Sequence, residues 1–169
     1  MSVKYYDLQT NILLQADDFT EAYHRCMYGV NPEVDEYGRM RWHYVGVPAI
    51  VNAAFACELY LKYLIGTKIE EVSRNEGHDL KVLYSKLDKP LQNQIREYVE
   101  AQWTQPDGYS FDDLLERAKN VFVAWRYIFE EEHTDGYMGC FINEYLKFFE
   151  LFVAILHKLA HENKETDEQ

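Results

Sequence analysis

The sequence predicts an all-α fold, a single-domain helical bundle of about five to six helices with an up-and-down core. In several long stretches, apolar residues recur at three- and four-residue steps, as they do on the buried face of an α-helix. No stretch shows the strict alternation of a half-buried strand. With 169 residues, 47% of them hydrophobic, the chain can bury a sizeable core. We expect residues 1–162 to form this domain and residues 163–169 to be a disordered acidic tail.

Charge and cysteine content exclude several classes of function. The formal net charge of −12 opposes non-specific attraction to nucleic acid and to an anionic membrane. Any nucleic-acid function must therefore use a local basic site. The three scattered cysteines, Cys26, Cys57 and Cys140, indicate reduced thiols rather than a disulfide framework or a zinc site. Because we find neither a signal peptide nor an uninterrupted apolar run of about 20 residues, we expect a cytoplasmic protein with no membrane contact.

The first predicted helix runs from about Tyr6 to Tyr28, and glycine and proline residues stop it. The following segment, residues 31–47, contains three breakers and is expected to be a loop or mobile segment. Its basic and aromatic cluster comprises Arg39, Arg41, Trp42 and His43. Such a cluster can stack on bases and contact phosphates, which makes it a candidate RNA-binding site. In an isolated loop, however, such residues more often pack on the domain surface.

The second predicted helix, from about Pro48 to Ile65, is apolar nearly all round and is therefore expected at the centre of the bundle. Glu58 and Lys62 lie four residues apart in it, in the order that favours an intrahelical ion pair. This structural ion pair is our preferred interpretation. Alternatively, Glu58 reaches a basic group on another helix and orients it, as carboxylates do behind active-site residues.

Shorter helices follow. Asp79 is predicted to cap the first of them, so that His78 projects from its N-terminus, where a histidine more often packs or forms hydrogen bonds than catalyses. Asp88 is predicted to cap the next helix, which has a proline in its first turn. The last apolar pattern predicts a long amphipathic helix from Phe141 to about His161.

The helix predicted for Ser110–His133 carries the most suggestive pair of residues. It begins with the signature of a capping box, formed by Ser110 and Asp113. Arg126 and His133 are seven residues apart, which returns them to nearly the same helix face. An arginine and a histidine placed in this way could bind or cleave a phosphodiester, or could have no chemical role.

Three segments together resemble HEPN proteins, a family of small all-α bundles, over roughly Val47–Leu159. The segments are AFACELYLKYLI from Ala54, GHDLKVLYSKL from Gly77 and FDDLLERAKNVFVAWRYIFEEEH from Phe111. The family's Glu-Leu-x-Leu-Lys helix is matched by Glu58, Leu59, Leu61 and Lys62. Its Gly-His-x-Leu turn is matched by Gly77, His78 and Leu80, and its Arg-x4-6-His motif is matched by Arg126 and His133.

The resemblance implies a metal-independent endoribonuclease of the toxin–antitoxin or phage-defence type, which works as a homodimer and needs no cofactor. His133 would act as a base on the ribose 2′-hydroxyl or protonate the leaving oxygen, and Arg126 would hold the scissile phosphate. Glu58, Lys62 and His78 would support this site. The expected partners are a second copy of the chain, an RNA substrate, and an antitoxin or a nucleotidyltransferase, whereas DNA is not expected. The sequence itself shows no convincing metal constellation.

A non-catalytic HEPN module stays open as an alternative. Three consecutive glutamates, residues 130–132, immediately precede His133, and their charge would repel an RNA backbone. Such a module would act in protein interaction or in ligand or nucleotide binding. An unrelated helical bundle is the third possibility.

Overall fold

A computed structural model describes residues 8–28, 33–34, 36–38, 40–41, 46–66, 77–104, 108–122 and 142–167. Six α-helices lie wholly within these residues: α1 Leu8–Tyr28, α2 Gly46–Ile65, α3 Leu80–Lys86, α4 Lys89–Gln102, α5 Phe111–Ala118 and α6 Ile142–Asp167. The predicted all-α helical bundle is therefore confirmed.

Helix α2 is the central helix, as its nearly all-round apolar surface predicted. It packs mainly against α1 and α6 and also contacts α3. Its buried residues are Ala49, Ile50, Ala53, Ala54, Ala56, Cys57, Glu58, Leu59, Tyr60, Leu61 and Ile65. Among the described helices, α2 alone is long and apolar enough to cross a membrane. The core helix of a bundle can have the same length and composition, and 61% of the most apolar 18-residue stretch of α2 is buried inside the bundle.

Aromatic side chains hold α3, α5 and α6 together. The fully buried ring of Phe111, at the start of α5, lies 5.1 Å from the ring of Tyr84 in α3 and 6.0 Å from that of Phe152 in α6. Phe148 and Phe149 extend this cluster along α6. Each such ring removes a large apolar area from water, so the cluster is a major source of the bundle's stability.

The helix ends match most of the predicted capping signals. Asp79 caps α3 by accepting hydrogen bonds from two backbone N–H groups of the first turn, at 2.8 and 3.0 Å. Ser110 and Asp113 form the predicted capping box at α5. Gly66, after α2, has φ +61°, the left-handed conformation that glycine favours. Asp88 occupies the N-cap position of α4, but its side chain makes no capping hydrogen bond, so that part of the prediction is wrong.

The continuous helix predicted for Ser110–His133 is wrong at residues 119–120, which form a turn after α5. Residues 121–122 are helical again. The backbone carbonyl of Lys119 accepts a hydrogen bond from the N–H of Leu80 in α3 at 2.9 Å. This contact draws the carbonyl toward a neighbouring helix, which accounts for the interruption of the helical ladder.

Helix α6 continues past the predicted end at His161 as far as Asp167. Residues 163–167, which we expected to belong to a disordered tail, are therefore helical. Extending an existing helix requires far less free energy than starting one, and the Lys158–Glu162 ion pair one turn apart, at 3.7 Å, supports the extension.

Residues 31–47, predicted to be a loop, contain a minimal hairpin. Strand β1 Glu33–Val34 pairs with β2 Met40–Arg41 in antiparallel register. Gly38 lies in the connecting turn with φ +75°, a conformation that side-chain-bearing residues rarely adopt. The strands are too short to show as an alternating pattern in the sequence.

Candidate functional site

The predicted site residues divide into two groups. The side chains of Glu58, Lys62 and His78 are described, whereas Arg41 is described only as part of β2. Arg39, Trp42, His43, Arg126 and His133 lie outside the described residues.

Glu58, Lys62 and His78, which we call the Glu58 cluster, lie together between α2 and the turn before α3. The Glu58 carboxylate is fully buried, with 0% exposure. Lys62 Nζ donates a hydrogen bond to Oε1 of Glu58 at 2.5 Å. Nδ1 of His78 lies 3.1 Å from Oε1 and 3.0 Å from Oε2 of the same carboxylate. Glu58 therefore forms the predicted intrahelical ion pair and also contacts a basic group outside its helix, in the turn before α3.

Two groups contact the His78 ring. One is the Glu58 carboxylate, and the other is the ring of Phe122, whose centroid lies 6.1 Å away. Phe122 stacks in turn on Phe55 of α2 at 4.6 Å. A carboxylate at Nδ1 favours the tautomer that carries its proton there, which leaves Nε2 as a hydrogen-bond acceptor. Among the described residues Nε2 has no hydrogen-bond partner, and the side chain as a whole is 49% exposed.

A second cluster, which the sequence did not predict, consists of Asp17 in α1 and His157 and His161 in α6. We call it the Asp17 cluster. The two histidines lie one turn apart, with ring centroids separated by 4.4 Å. Nε2 of His161 lies 3.0 Å from Oδ1 of Asp17, and Nε2 of His157 lies 3.8 Å from the same oxygen. One potential ligand atom from each residue falls within 4.8 Å of the other two.

Tyr60 of α2 positions Asp17 from within the core. Its hydroxyl donates a hydrogen bond to Oδ1 of Asp17 at 2.8 Å and lies 3.0 Å from Oγ1 of Thr20. Burial raises the pKa of Tyr60, which keeps its hydroxyl protonated and able to donate. Burial, together with the neighbouring charge of His161, lowers the pKa of His157.

A groove of about 350 Å³ adjoins the Asp17 cluster. Its lining residues are Thr20, Tyr23, His24, Tyr28, Glu150, Val153, Ala154 and His157. The Tyr23 hydroxyl is buried and has no hydrogen-bond partner among the described residues, and burial raises its pKa. A buried hydroxyl without a partner is uncommon, because the lost hydration is not replaced. His157 belongs to both the groove and the Asp17 cluster.

Only part of the Asp17 cluster left a signal in the sequence. The His-x-x-x-His spacing of residues 157 and 161 places two imidazoles on one face of a helix, a common arrangement for metal ligands. The apolar pattern of that segment predicts only a long amphipathic helix that contributes to the core. Asp17 lies 140 residues earlier, and only the packing of α1 against the rest of the bundle brings it to the histidines.

Comparisons with models of protein families, with characterised proteins and with solved structures found no match to this chain. The candidate sites are therefore described from their own geometry.

Proposed function

We propose that the chain is a HEPN-like, metal-independent endoribonuclease in which Arg126 and His133 act on an RNA phosphodiester. The observation that supports the proposal most is the Glu58 cluster. It joins two of the three segments that carry the resemblance, because Glu58 and Lys62 come from the first segment and His78 from the second. A buried carboxylate that holds a half-exposed histidine is the kind of arrangement that supports a catalytic site.

The third segment enters the same region at Phe122. This residue packs against His78 and precedes Arg126 by four positions in the sequence. We propose that this contact brings the third segment to the Glu58 cluster, so that Arg126 and the cluster belong to one site.

The proposed chemistry requires no metal ion. His133 takes the proton of the ribose 2′-hydroxyl as its oxygen attacks the adjacent phosphorus. The bond from phosphorus to the 5′-oxygen then breaks, and an acid protonates the leaving oxygen. This yields a 2′,3′-cyclic phosphate and a free 5′-hydroxyl. The Arg126 guanidinium offers paired donors to the phosphate oxygens and neutralises charge that develops there.

RNA binding must overcome the net charge of −12. We propose that Arg39, Arg41, Trp42 and His43 supply the local basic and aromatic surface, and that two copies of the chain form a cytoplasmic homodimer that brings two motifs together. An antitoxin or a nucleotidyltransferase is the proposed regulatory partner.

Cleavage of a mixed single-stranded RNA substrate by the purified chain, in the presence of EDTA, tests this proposal. We expect cleavage by the wild-type chain and its loss, by more than about 100-fold, in Arg126→Ala and in His133→Ala. Matched controls are Arg25→Ala and His24→Gln, since both residues lie exposed on α1. Undiminished cleavage by either motif variant, or no cleavage by the wild-type chain, contradicts the proposal.

The groove beside α1 favours a second candidate function, a non-catalytic module that binds a small ligand such as a nucleotide. Tyr23 lines it, and its volume of about 350 Å³ is within the usual range of ligand pockets. Nucleotide binding that Tyr23→Phe weakens, by a chain that does not cleave RNA, would favour this candidate.

A further inference from the structure

We propose that Asp17, His157 and His161 bind a divalent transition-metal ion, for which Zn²⁺ is the best match. This site is independent of the proposed ribonuclease. Glu58 and Tyr60 are two residues apart on α2, so they project about 200° apart around the helix axis. The Asp17 cluster, which Tyr60 contacts, and the Glu58 cluster therefore lie on opposite sides of the central helix.

The distances within the Asp17 cluster suit a common ion. Zinc binds imidazole nitrogen and carboxylate oxygen at about 2.1 Å, so two of its ligands in a tetrahedral site are about 3.4 Å apart. The two distances to Oδ1 of Asp17, 3.0 Å from His161 and 3.8 Å from His157, lie on either side of this value. Each distance differs from it by about 0.4 Å.

Packing and a hydrogen bond hold the elements that carry the three ligands in place. The histidines share one face of α6, whose surrounding residues are packed in the core, and Asp17 is held by the hydrogen bond from the fully buried Tyr60. Groups behind the ligands that orient them in this way raise metal affinity. The three ligand side chains themselves are 32–48% exposed, so an ion can enter from solvent.

The ligand types select the class of metal. Two imidazoles and one carboxylate match zinc and related transition metals, whereas Ca²⁺ and Mg²⁺ prefer oxygen ligands throughout. Three protein ligands are typical of zinc sites that keep a further coordination position for water or a substrate. The excess of acidic residues over the whole chain also attracts a cation.

The groove indicates what would occupy that further position. His157 lines it and also belongs to the Asp17 cluster, so a ligand in the groove lies next to one of the three proposed metal ligands. We therefore assign the groove to water or to a small oxygen-donor ligand of the bound ion.

Zinc binding by the untagged, chelator-treated chain tests the proposal. We expect one Zn²⁺ per chain in competition with a chromophoric chelator. Affinity should fall more than about tenfold in His161→Gln and in Asp17→Asn, and less in Tyr60→Phe, which only removes support. His78→Gln is the matched control, because His78 contacts a carboxylate in the other cluster and does not belong to the Asp17 cluster.

Co²⁺ substitution provides an independent readout of the ligands. A four-coordinate site gives strong visible absorption bands, which should be absent in His161→Gln although circular dichroism shows a folded helical protein. Absence of 1:1 binding by the wild-type chain would mean that the cluster is only a hydrogen-bonded contact between α1 and α6. That result, or equal losses in His78→Gln and His161→Gln, overturns the proposal.

Discussion

The Glu58 cluster and the Asp17 cluster each contain a carboxylate that accepts a hydrogen bond from a side chain of α2, but the two carboxylates differ in burial. Glu58 is completely buried, and both of its oxygens are used by Lys62 and His78. Asp17 is partly exposed, and its hydrogen bonds and histidine contacts converge on one oxygen, Oδ1. Among the described residues, its other oxygen has no partner.

The difference in burial suits the two carboxylates to different roles: Glu58 to orienting another side chain, and Asp17 to binding a ligand. A buried carboxylate costs several kcal/mol of desolvation, which only close partners can offset, and the buried Glu58 carboxylate presents no surface to a ligand from solvent. Asp17 stays accessible and shares its oxygen with two imidazoles that also suit a metal ion. We conclude that Glu58 fixes His78 in place, whereas Asp17 is available for an incoming ion.

The largest expected effect is that of Glu58→Gln on stability. The variant removes the buried negative charge and leaves Lys62 and His78 facing a neutral amide, a change that costs about 3–5 kcal/mol when all groups are buried. Because these two side chains are 21% and 49% exposed and can turn toward water, we expect about 2–3 kcal/mol.

Urea denaturation of Glu58→Gln and Asp17→Asn side by side measures this difference. Asp17→Asn should lose no more than about 1 kcal/mol, because its carboxylate is partly hydrated. Equal losses in the free energy of unfolding would contradict the distinction between the two carboxylates.

A smaller effect is expected for Tyr60→Phe, which removes the hydroxyl that donates to Asp17 and contacts Thr20. The ring stays packed, so only hydrogen bonding is lost, worth about 1–1.5 kcal/mol. Thermal denaturation with and without Zn²⁺ checks both roles of the hydroxyl. If Tyr60→Phe is as stable as the wild-type chain and is stabilised equally by Zn²⁺, then Tyr60 does not position Asp17.

The exposed carboxylate of Glu116 in α5 provides a surface reference and the smallest expected effect. Hydrogen bonds from Lys119 and Lys81 lower its pKa from 4.5 to about 2. A carboxyl whose pKa is lower in the folded state stabilises the protein above its unfolded pKa, and this contribution is lost as the pH falls from about 4.5 through about 2.

The thermal midpoint of Glu116→Gln should therefore depend less steeply on pH in that range than that of the wild-type chain. The difference between the two proteins should be small, because solvent screens exposed ion pairs. An identical pH dependence of the two midpoints would show that the Lys119 and Lys81 contacts have no effect on stability.

The sequence predicted those features that depend on local patterns. The apolar surface of α2, the Asp79 cap and the capping box at Ser110 each arise from residues within a few positions of one another, and all three are confirmed. The turn at residues 119–120 escaped prediction because it coincides with a hydrogen bond from the backbone of Leu80.

In the candidate sites, too, contacts between residues close in the sequence were predicted, whereas contacts between distant segments were not. Helical spacing predicted Lys62 as the partner of Glu58. The contact between Glu58 and His78 was anticipated only as a contact with an unspecified basic group on another helix. The Asp17 cluster depends on the packing of two helices from opposite ends of the chain. No local pattern specifies which residue of α1 faces the two histidines of α6.

The most direct measurement is a Zn²⁺ titration of His78→Gln and His161→Gln under identical conditions. Each variant replaces a partly exposed histidine that contacts a carboxylate, on opposite sides of α2. We predict that His78→Gln still binds one Zn²⁺ per chain with wild-type affinity, whereas His161→Gln binds more than about tenfold more weakly. If the two variants bind Zn²⁺ alike, the two clusters do not differ in the way proposed.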